Sequence, residues 1–238
     1  MPETKTTPDK TEIRSDWQLT VDVDAVLRGQ GANPEKVRSR QPRLIELAER
    51  AIVLGTNWIR PQVAYRALDI REVHSGKVVL ANGTELKGYG IVRRIRGLES
   101  MIAAIATVGS EFEQEFQKAS KEDVALGLAL DGFGTAAIGA LTSEAGKFFA
   151  RNFAAPRSFC TGPLFPGMRG WELAGAQSAL FSLVDASAIG VSLNASFVMQ
   201  PVKSVSMVIG IGQKAQCTEL PCAECDSADT CLHKPAKA

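Results

Sequence analysis

The chain changes hydrophobic period several times. Leu44, Leu47, Ala48, Ala51 and Ile52 recur three and four positions apart, which puts them on one face of a helix. Asn33 and Pro34 open a shorter helix before it, Asn as a cap for free amides and Pro in the first turn. Pro42 interrupts the pattern, and the second helix runs from there through AERAIVLG with Gly55 as its stop. In KVVLANGTEL two short apolar runs flank Asn82-Gly83, a pair suited to the positive φ values of a tight turn, so a β-hairpin is predicted. YGIVRRIRGLE then reads as a helix and SMIAAIATVG as a buried strand.

From Ser110 to Phe153 the proline-free chain is acidic early and basic late, which predicts two helices broken near Lys121. Gly127, Gly132, Gly134 and Gly139 lower the intrinsic helicity of the second and point to close packing against a neighbour. PRSFCTGPLFPGMRGWELAGAQ reads as a shaped loop that leads into a helix over QSALFSLV. IGVSLNASFVMQP and KSVSMVIGIG alternate and carry β-branched residues, so they are expected to be two strands of a hairpin joined at Pro201. There is no internal repeat. Helices and strands segregate along the chain, which predicts an α+β fold with a largely antiparallel sheet and flanking helices. Residues 1–15 have the composition of a loose tail, 16–212 form the expected domain, and 213–238 form a short Cys-rich C-terminal extension.

Composition narrows the function. With 238 residues, 45% hydrophobic and 22% charged, the chain is long enough to bury a core without staples. Its 27 Lys and Arg nearly balance 26 Asp and Glu, so no broad field would attract nucleic acid or a membrane surface. The first residues lack the apolar stretch of a secretory signal, and no run reads as the roughly 18 to 20 apolar residues of a bilayer span, so a cytoplasmic location is expected. Two histidines, and no phosphate loop, HExxH helix or Ser-His-Asp set, leave little for acid–base catalysis, and no catalytic residue is assigned.

The cysteines stand out. Cys217, Cys222, Cys225 and Cys231 form C-x4-C-x2-C-x5-C near the C-terminus, close enough for several thiolates to converge on one centre. In a reducing compartment such a group holds a metal or cluster rather than disulfides. Zinc ribbons pair two Cys-x2-Cys knuckles and this run has one, so an iron-sulfur cluster of the 4Fe-4S kind is the expected cofactor, with zinc as the alternative. The spacing follows neither of the familiar ferredoxin runs. The tail has little apolar content of its own, and bound metal would order it. His233 is the nearby substitute ligand, with solvent exposure as the plainer reading, and Cys160, alone beside the loop, reads as a small buried hydrophobe.

FPGMRGWELAGAQSALFSLV followed by IGVSLNASFVMQPVKSVSMVIGIG resembles the activation domain of vitamin B12-dependent methionine synthase, and more closely its free-standing bacterial relatives. The matching residues are Pro166, Gly167, Gly170, Trp171, Gln177, Leu180, Phe181, Ile189, Gly190, Val191, Met199, Pro201, Lys203 and Ser204, and ATVGSEFEQ resembles a further segment of that family. The resemblance covers roughly residues 60–212. It implies a curved antiparallel sheet that binds S-adenosylmethionine (SAM) and works beside a corrinoid protein or B12-dependent methyltransferase, with an electron donor protein supplying the reductant for inactive Co(II).

The resemblance makes Pro166, Gly167, Met168, Arg169, Gly170, Trp171, Gln177 and Lys203 the candidate ligand residues. Two positions depart from the family: Pro163 stands where a SAM-binding Arg is expected, and Met168 where a Tyr is expected. Arg169 is the neighbouring cation. The same loop also reads as a tight turn with Trp171 buried against the sheet, and Gln177 and Lys203 as solvated or backbone-capping side chains. Two other functions remain open on this sequence: a SAM-binding or structural subunit with structural zinc, and an assembly subunit without either ligand.

Overall fold

The computed structural model describes residues 10–155, residues 158–213 and Cys231. In chain order the elements are β1 (Glu12–Arg14), α1 (Val23–Gly29), α2 (Pro34–Arg40), α3 (Pro42–Trp58), β2 (Gln62–Val73), β3 (Lys77–Leu80), β4 (Glu85–Lys87), α4 (Tyr89–Ile95), β5 (Ser100–Thr107), α5 (Ser110–Glu122), α6 (Val124–Phe153), β6 (Phe159–Cys160), α7 (Leu173–Leu183), a 3-10 turn (Ala186–Ile189), β7 (Ser192–Leu193), β8 (Met199–Gln200) and β9 (Ser204–Gly212).

The main sheet runs β4-β3-β2-β5-β9-β6, with β1 added on β2, and every pairing in it is antiparallel. It curls into a half-barrel with flanking helices, so the expected α+β architecture is the one observed.

Alternation in the two central strands sorts the core. Met101, Ala103 and Ile105 of β5 join Val208 of β9 in a cluster under α4 and α7, with Trp171, Leu180 and Ile91. Ile102, Ala104 and Ala106, with Met207, Ile209 and Ile211, face the other way, against Leu141, Ala145 and Phe149 of α6. A third cluster lies among α1, α3, α5 and the first half of α6, around Phe112 and Phe133. Because β5 is buried on both faces, it reads as a continuous apolar run rather than an alternating one.

Small residues set the helix spacing. A Cβ on Gly132 would stand 2.5 Å from the Val26 carbonyl oxygen, and one on Gly29 would stand 2.3 Å from the Gly132 carbonyl oxygen, so α1 and α6 cross backbone to backbone. Gly127 and Gly134 are similarly crowded, by Ser120 and by Phe112, whereas Gly139 faces open space. Three of the five glycines of α6 thus serve close packing, while Gly139 and Gly146 are not crowded.

Several expectations change. Gly55 does not end α3; it is buried within the helix, and the Phe133 ring occupies the space a side chain would need, 2.3 Å from a built Cβ. The strands flanking Pro201 do not pair with each other. β8 closes a small hairpin with β7, while β9 inserts between β5 and β6, because its apolar residues face both ways and need cover on both sides. Ordered structure begins earlier than residue 16: β1 pairs with β2, Glu12 accepts a hydrogen bond from the Tyr65 hydroxyl at 2.7 Å, and the Arg14 guanidinium lies 4.4 Å from the Phe148 ring centre. Burial, reinforced by the Glu12 carboxylate, holds the Tyr65 phenol protonated far above its ordinary range. Helix α6 is long and apolar enough to cross a membrane by length and composition. The sequence reading missed this because the apolar character is spread over Ala and Gly; in the fold, the helix packs against the sheet and α1, α3 and α5.

The glycine geometry predicts opposite effects at two positions of one helix. Gly132→Ala should lower stability by about 1 to 3 kcal/mol through overpacking against the α1 backbone. Gly139→Ala should raise it by up to about 1 kcal/mol through helix propensity. Thermal melts of the two variants against the parent check both signs.

Candidate functional site

The segment from Thr161 to Glu172 is tied to β9 before it turns. Thr161 donates its amide to the Gly210 carbonyl at 2.9 Å and accepts the Gly210 amide on its hydroxyl at 2.9 Å. Leu164 and Val208 exchange two backbone hydrogen bonds, at 2.8 and 2.9 Å. The turn then closes on itself: the Met168 amide donates to Phe165 O, the Trp171 amide to Met168 O, and the Gly167 amide to Trp171 O. Gly167 at φ 87° and Gly170 at φ 77° occupy the left-handed region, which explains glycine at both.

Helix α4 seats the tip. The Gly90 amide donates to the Gly170 carbonyl at 2.9 Å. A Cβ on Gly90 would stand 2.2 Å from the Arg169 carbonyl oxygen, and one on Gly88 2.6 Å from that of Gly170. The Tyr89 ring lies over Gly170, its Cζ 2.3 Å from a built Cβ there. Gly88, Tyr89 and Gly90 were not picked out from the sequence; two glycines flanking an aromatic at a helix start were the available signal.

The candidate residues divide into three groups. Pro166, Gly167, Met168, Arg169, Gly170 and Trp171 come together in the turn, with Gly167 and Arg169 exposed and Trp171 1% exposed in the core. Its indole Nε1 has no hydrogen-bond partner among the described residues. Gln177 is neither solvated nor a backbone cap: it is buried on α7 and accepts a hydrogen bond from the Ser206 hydroxyl at 2.8 Å, because its polar end lies against β9 and needs a partner there. Lys203 is not brought to the loop. Its ammonium pairs with Asp131 at 2.8 Å and donates to the Thr135 hydroxyl at 2.9 Å, on the α6 side of the sheet, where the missing side chain of Gly134 leaves room for its stem.

The N-terminus of α7, just past the loop, is occupied by the chain itself. The Glu172 carboxylate accepts the amides of Ala174 at 2.7 Å and Gly175 at 2.8 Å, and these bonds hold its carboxyl below the usual carboxylate range. Those amides are therefore committed, and Arg169 is the exposed cation on the turn.

Cys160 lies on β6 beside Ile211, packed at the edge of the α6-side cluster, and burial pushes its thiol up. Cys217, Cys222, Cys225 and His233 lie outside the described residues; Cys231 is half-buried with a free thiol. Among the described residues no three His, Cys, Asp or Glu side chains converge as a metal site. The root of the Cys-rich segment is described: the Gln213 amide donates to the Glu99 carboxylate at 3.0 Å, at the end of β9. There Leu98 and Ile95 crowd Gly210, so the root sits at the C-terminal end of α4, whose N-terminal end seats the loop tip.

No family model matches the sequence, and no curated protein does. Among solved structures the chain is similar to the MetH reactivation domain bound to AdoHcy, with a TM-score of 0.56, 10% sequence identity, and coverage of 90% of this chain and 81% of that one. The protein therefore shares the fold of that domain, a likeness of architecture at an identity too low to carry residue roles.

Two measurements follow from the site geometry. Ser206→Ala should cost about 1 to 3 kcal/mol, since it leaves the buried Gln177 carbonyl without its donor; denaturant unfolding of this variant and of a Ser206→Ala/Gln177→Leu double variant, which removes the orphaned group, checks it. Glu172 has a lowered folded pKa, so its stabilisation is fully present above the unfolded value of about 4.3 and is lost as pH falls through the folded value. Glu172→Gln should flatten the acid limb of the stability profile below that pH, as followed by circular dichroism.

Proposed function

We propose that the chain is an accessory protein of a corrinoid (B12)-dependent methyltransferase system, one that binds an S-adenosyl ligand at the Pro166–Trp171 loop and assists reduction of a partner's Co(II) corrinoid. The observation that carries this reading is the fold, similar over 90% of this chain to the MetH reactivation domain bound to AdoHcy. Sequence motifs and fold point the same way independently, since the resemblance rests on the loop and final strands and the likeness rests on backbone shape.

The residues of the loop fit such a ligand in kind. A turn with two left-handed glycines brings backbone close to a bound molecule, Arg169 offers an exposed guanidinium for a carboxylate in place of the Arg that Pro163 replaces, and Met168 gives apolar contact. The Trp171 indole N–H is a buried donor with no acceptor among the described residues, and a ligand acceptor would satisfy it.

Cys217, Cys222, Cys225 and Cys231 would hold a 4Fe-4S cluster, which when bound would supply one-electron transfer from an electron donor protein to the partner's cobalt. The placement of the tail's root supports a shared role for the two sites. Helix α4 has seven residues, so the loop tip and the root lie about 10 Å apart along it. Cys217 follows Gln213 by four positions, a reach of at most about 14 Å. The described root of the tail, Gln213, thus lies at the end of α4 opposite the loop tip.

Anaerobic purification followed by iron, sulfide and zinc analysis and by EPR after reduction tests the redox half of this reading. Iron and acid-labile sulfide in about a 1:1 ratio, near four of each per chain and lost in a Cys222→Ser/Cys225→Ser variant, is the expected result. A colourless protein with stoichiometric zinc would instead make it a ligand-binding subunit with a structural metal, and absence of both metals would remove the electron-transfer role. Mixing the iron-loaded protein and a reductant with a corrinoid methyltransferase in the Co(II) state should speed loss of the Co(II) spectrum; no association and no acceleration would overturn the partnership.

A further inference from the structure

We propose that Tyr89 is a ligand-contacting residue of the loop site, its ring serving as the platform on which the purine of an S-adenosyl ligand stacks; this rests on the S-adenosyl reading of the loop given above. The sequence offered no reason to include it, because it lies some eighty residues before the loop. The fold brings it there. Its ring covers the backbone at Gly170, where any side chain would collide with it, and the adjacent Gly90 amide is bonded to the Gly170 carbonyl, so the ring's mounting is fixed to the turn itself.

The ring is placed as a surface rather than as filling. Gly90, Ile91 and Val92, which follow it in α4, are buried, yet Tyr89 is 61% exposed. A large aromatic held rigidly on one side and open on the other loses little conformational freedom when a flat ring packs against it, and the quadrupole of the phenol favours an offset stack with a purine. Leu173 approaches the same turn from α7, 3.7 Å from a built Cβ on Gly167, and is itself 43% exposed, which supplies an apolar rim.

An independent sign of a ligand lies beside it. Cδ1 of the Trp171 indole, the carbon bonded to Nε1, lies 3.1 Å from a Cβ built on Gly88, the residue before Tyr89. That N–H is buried and unpartnered, which a folded protein tolerates poorly unless an acceptor arrives. The exposed aromatic face, the apolar rim, the unpaired donor and the Arg169 guanidinium all belong to one turn and the residues that seat it. Together they match a flat nitrogenous base joined to an amino-acid carboxylate. Tyr89 would also place an aromatic ring and hydroxyl beside the loop, where Met168 offers neither.

The test is calorimetric titration of the full chain with AdoHcy and, separately, with adenosine, for the parent, Tyr89→Phe, Tyr89→Leu and Tyr89→Ala, each with a thermal melt. Stacking predicts that Tyr89→Phe binds within about threefold of the parent, and that Tyr89→Ala loses about tenfold or more for both ligands at an unchanged melting temperature. Tyr89→Leu, which keeps an apolar cover over Gly170 but has no π face, should fall between them and serves if the alanine variant does not fold. Parent-like binding of AdoHcy by the alanine variant, or by the leucine variant where it substitutes, would overturn the role of Tyr89 and leave the S-adenosyl reading standing. Failure of the parent to bind AdoHcy or SAM would overturn the S-adenosyl reading and this inference with it.

Discussion

Burial of both faces of β5 and β9 is the constraint from which the rest of the architecture follows. Neither strand can rest against solvent, so one helical layer must cover each side: α4 and α7 on one, α6 on the other. The alanines of β5 keep those layers close, and the glycines of α6 let α1 approach until backbones touch. Small residues at these crossings contribute little apolar area themselves. Their effect is to let the large side chains, Phe112, Phe133, Phe149 and Trp171, fill the space around them without gaps.

The same economy of side chains builds the candidate site. The loop is not a free excursion between β6 and α7; it is hydrogen-bonded along β9 and then laid on the first turn of α4, where Gly88 and Gly90 have no Cβ to keep it away. Its tip is thereby fixed on a rigid element, and what projects from it, Arg169, together with what projects beside it, Tyr89, has a defined position. A preorganised surface of this kind costs less to occupy than a loop that must order on binding. The polar residues that hold the surrounding fold are internally matched: Gln177 with Ser206, Lys203 with Asp131, and Glu172 with the first amides of α7. Among the described residues the Trp171 indole N–H has no such match, and it adjoins the site.

Local chemistry was legible where a residue acts on its own neighbours. Asn33-Pro34 starts a helix because the Asn side chain caps the amides of Glu35 and Lys36. Asn82-Gly83 makes the hairpin turn because Gly83 takes φ 88°. The break between α5 and α6 falls at Asp123, which caps the second helix two residues from the expected point. Reading failed where a residue's role is set by a distant partner. Gly55 resembles a helix stop until Phe133 is placed against it, and β9 resembles the second arm of a hairpin until the sheet offers it two better neighbours. The twelve-residue β2 went unrecognised because it is apolar on both faces at one end and polar at the other, so no single period runs through it.

From sequence alone came the α+β class, the presence and starts of the long helices, the turn at Pro166–Trp171 and the concentration of four cysteines near the C-terminus, because periodicity, capping and composition are properties of adjacent residues. Tertiary structure decided which of the candidate residues share a site. Gln177 and Lys203 are twenty-six positions apart in the chain and are separated by the sheet, one serving α7 and the other α6, while Tyr89, remote in sequence, lies over Gly170. A side chain's partner across a sheet depends on register and on which face it occupies, and a single step of register exchanges the two faces.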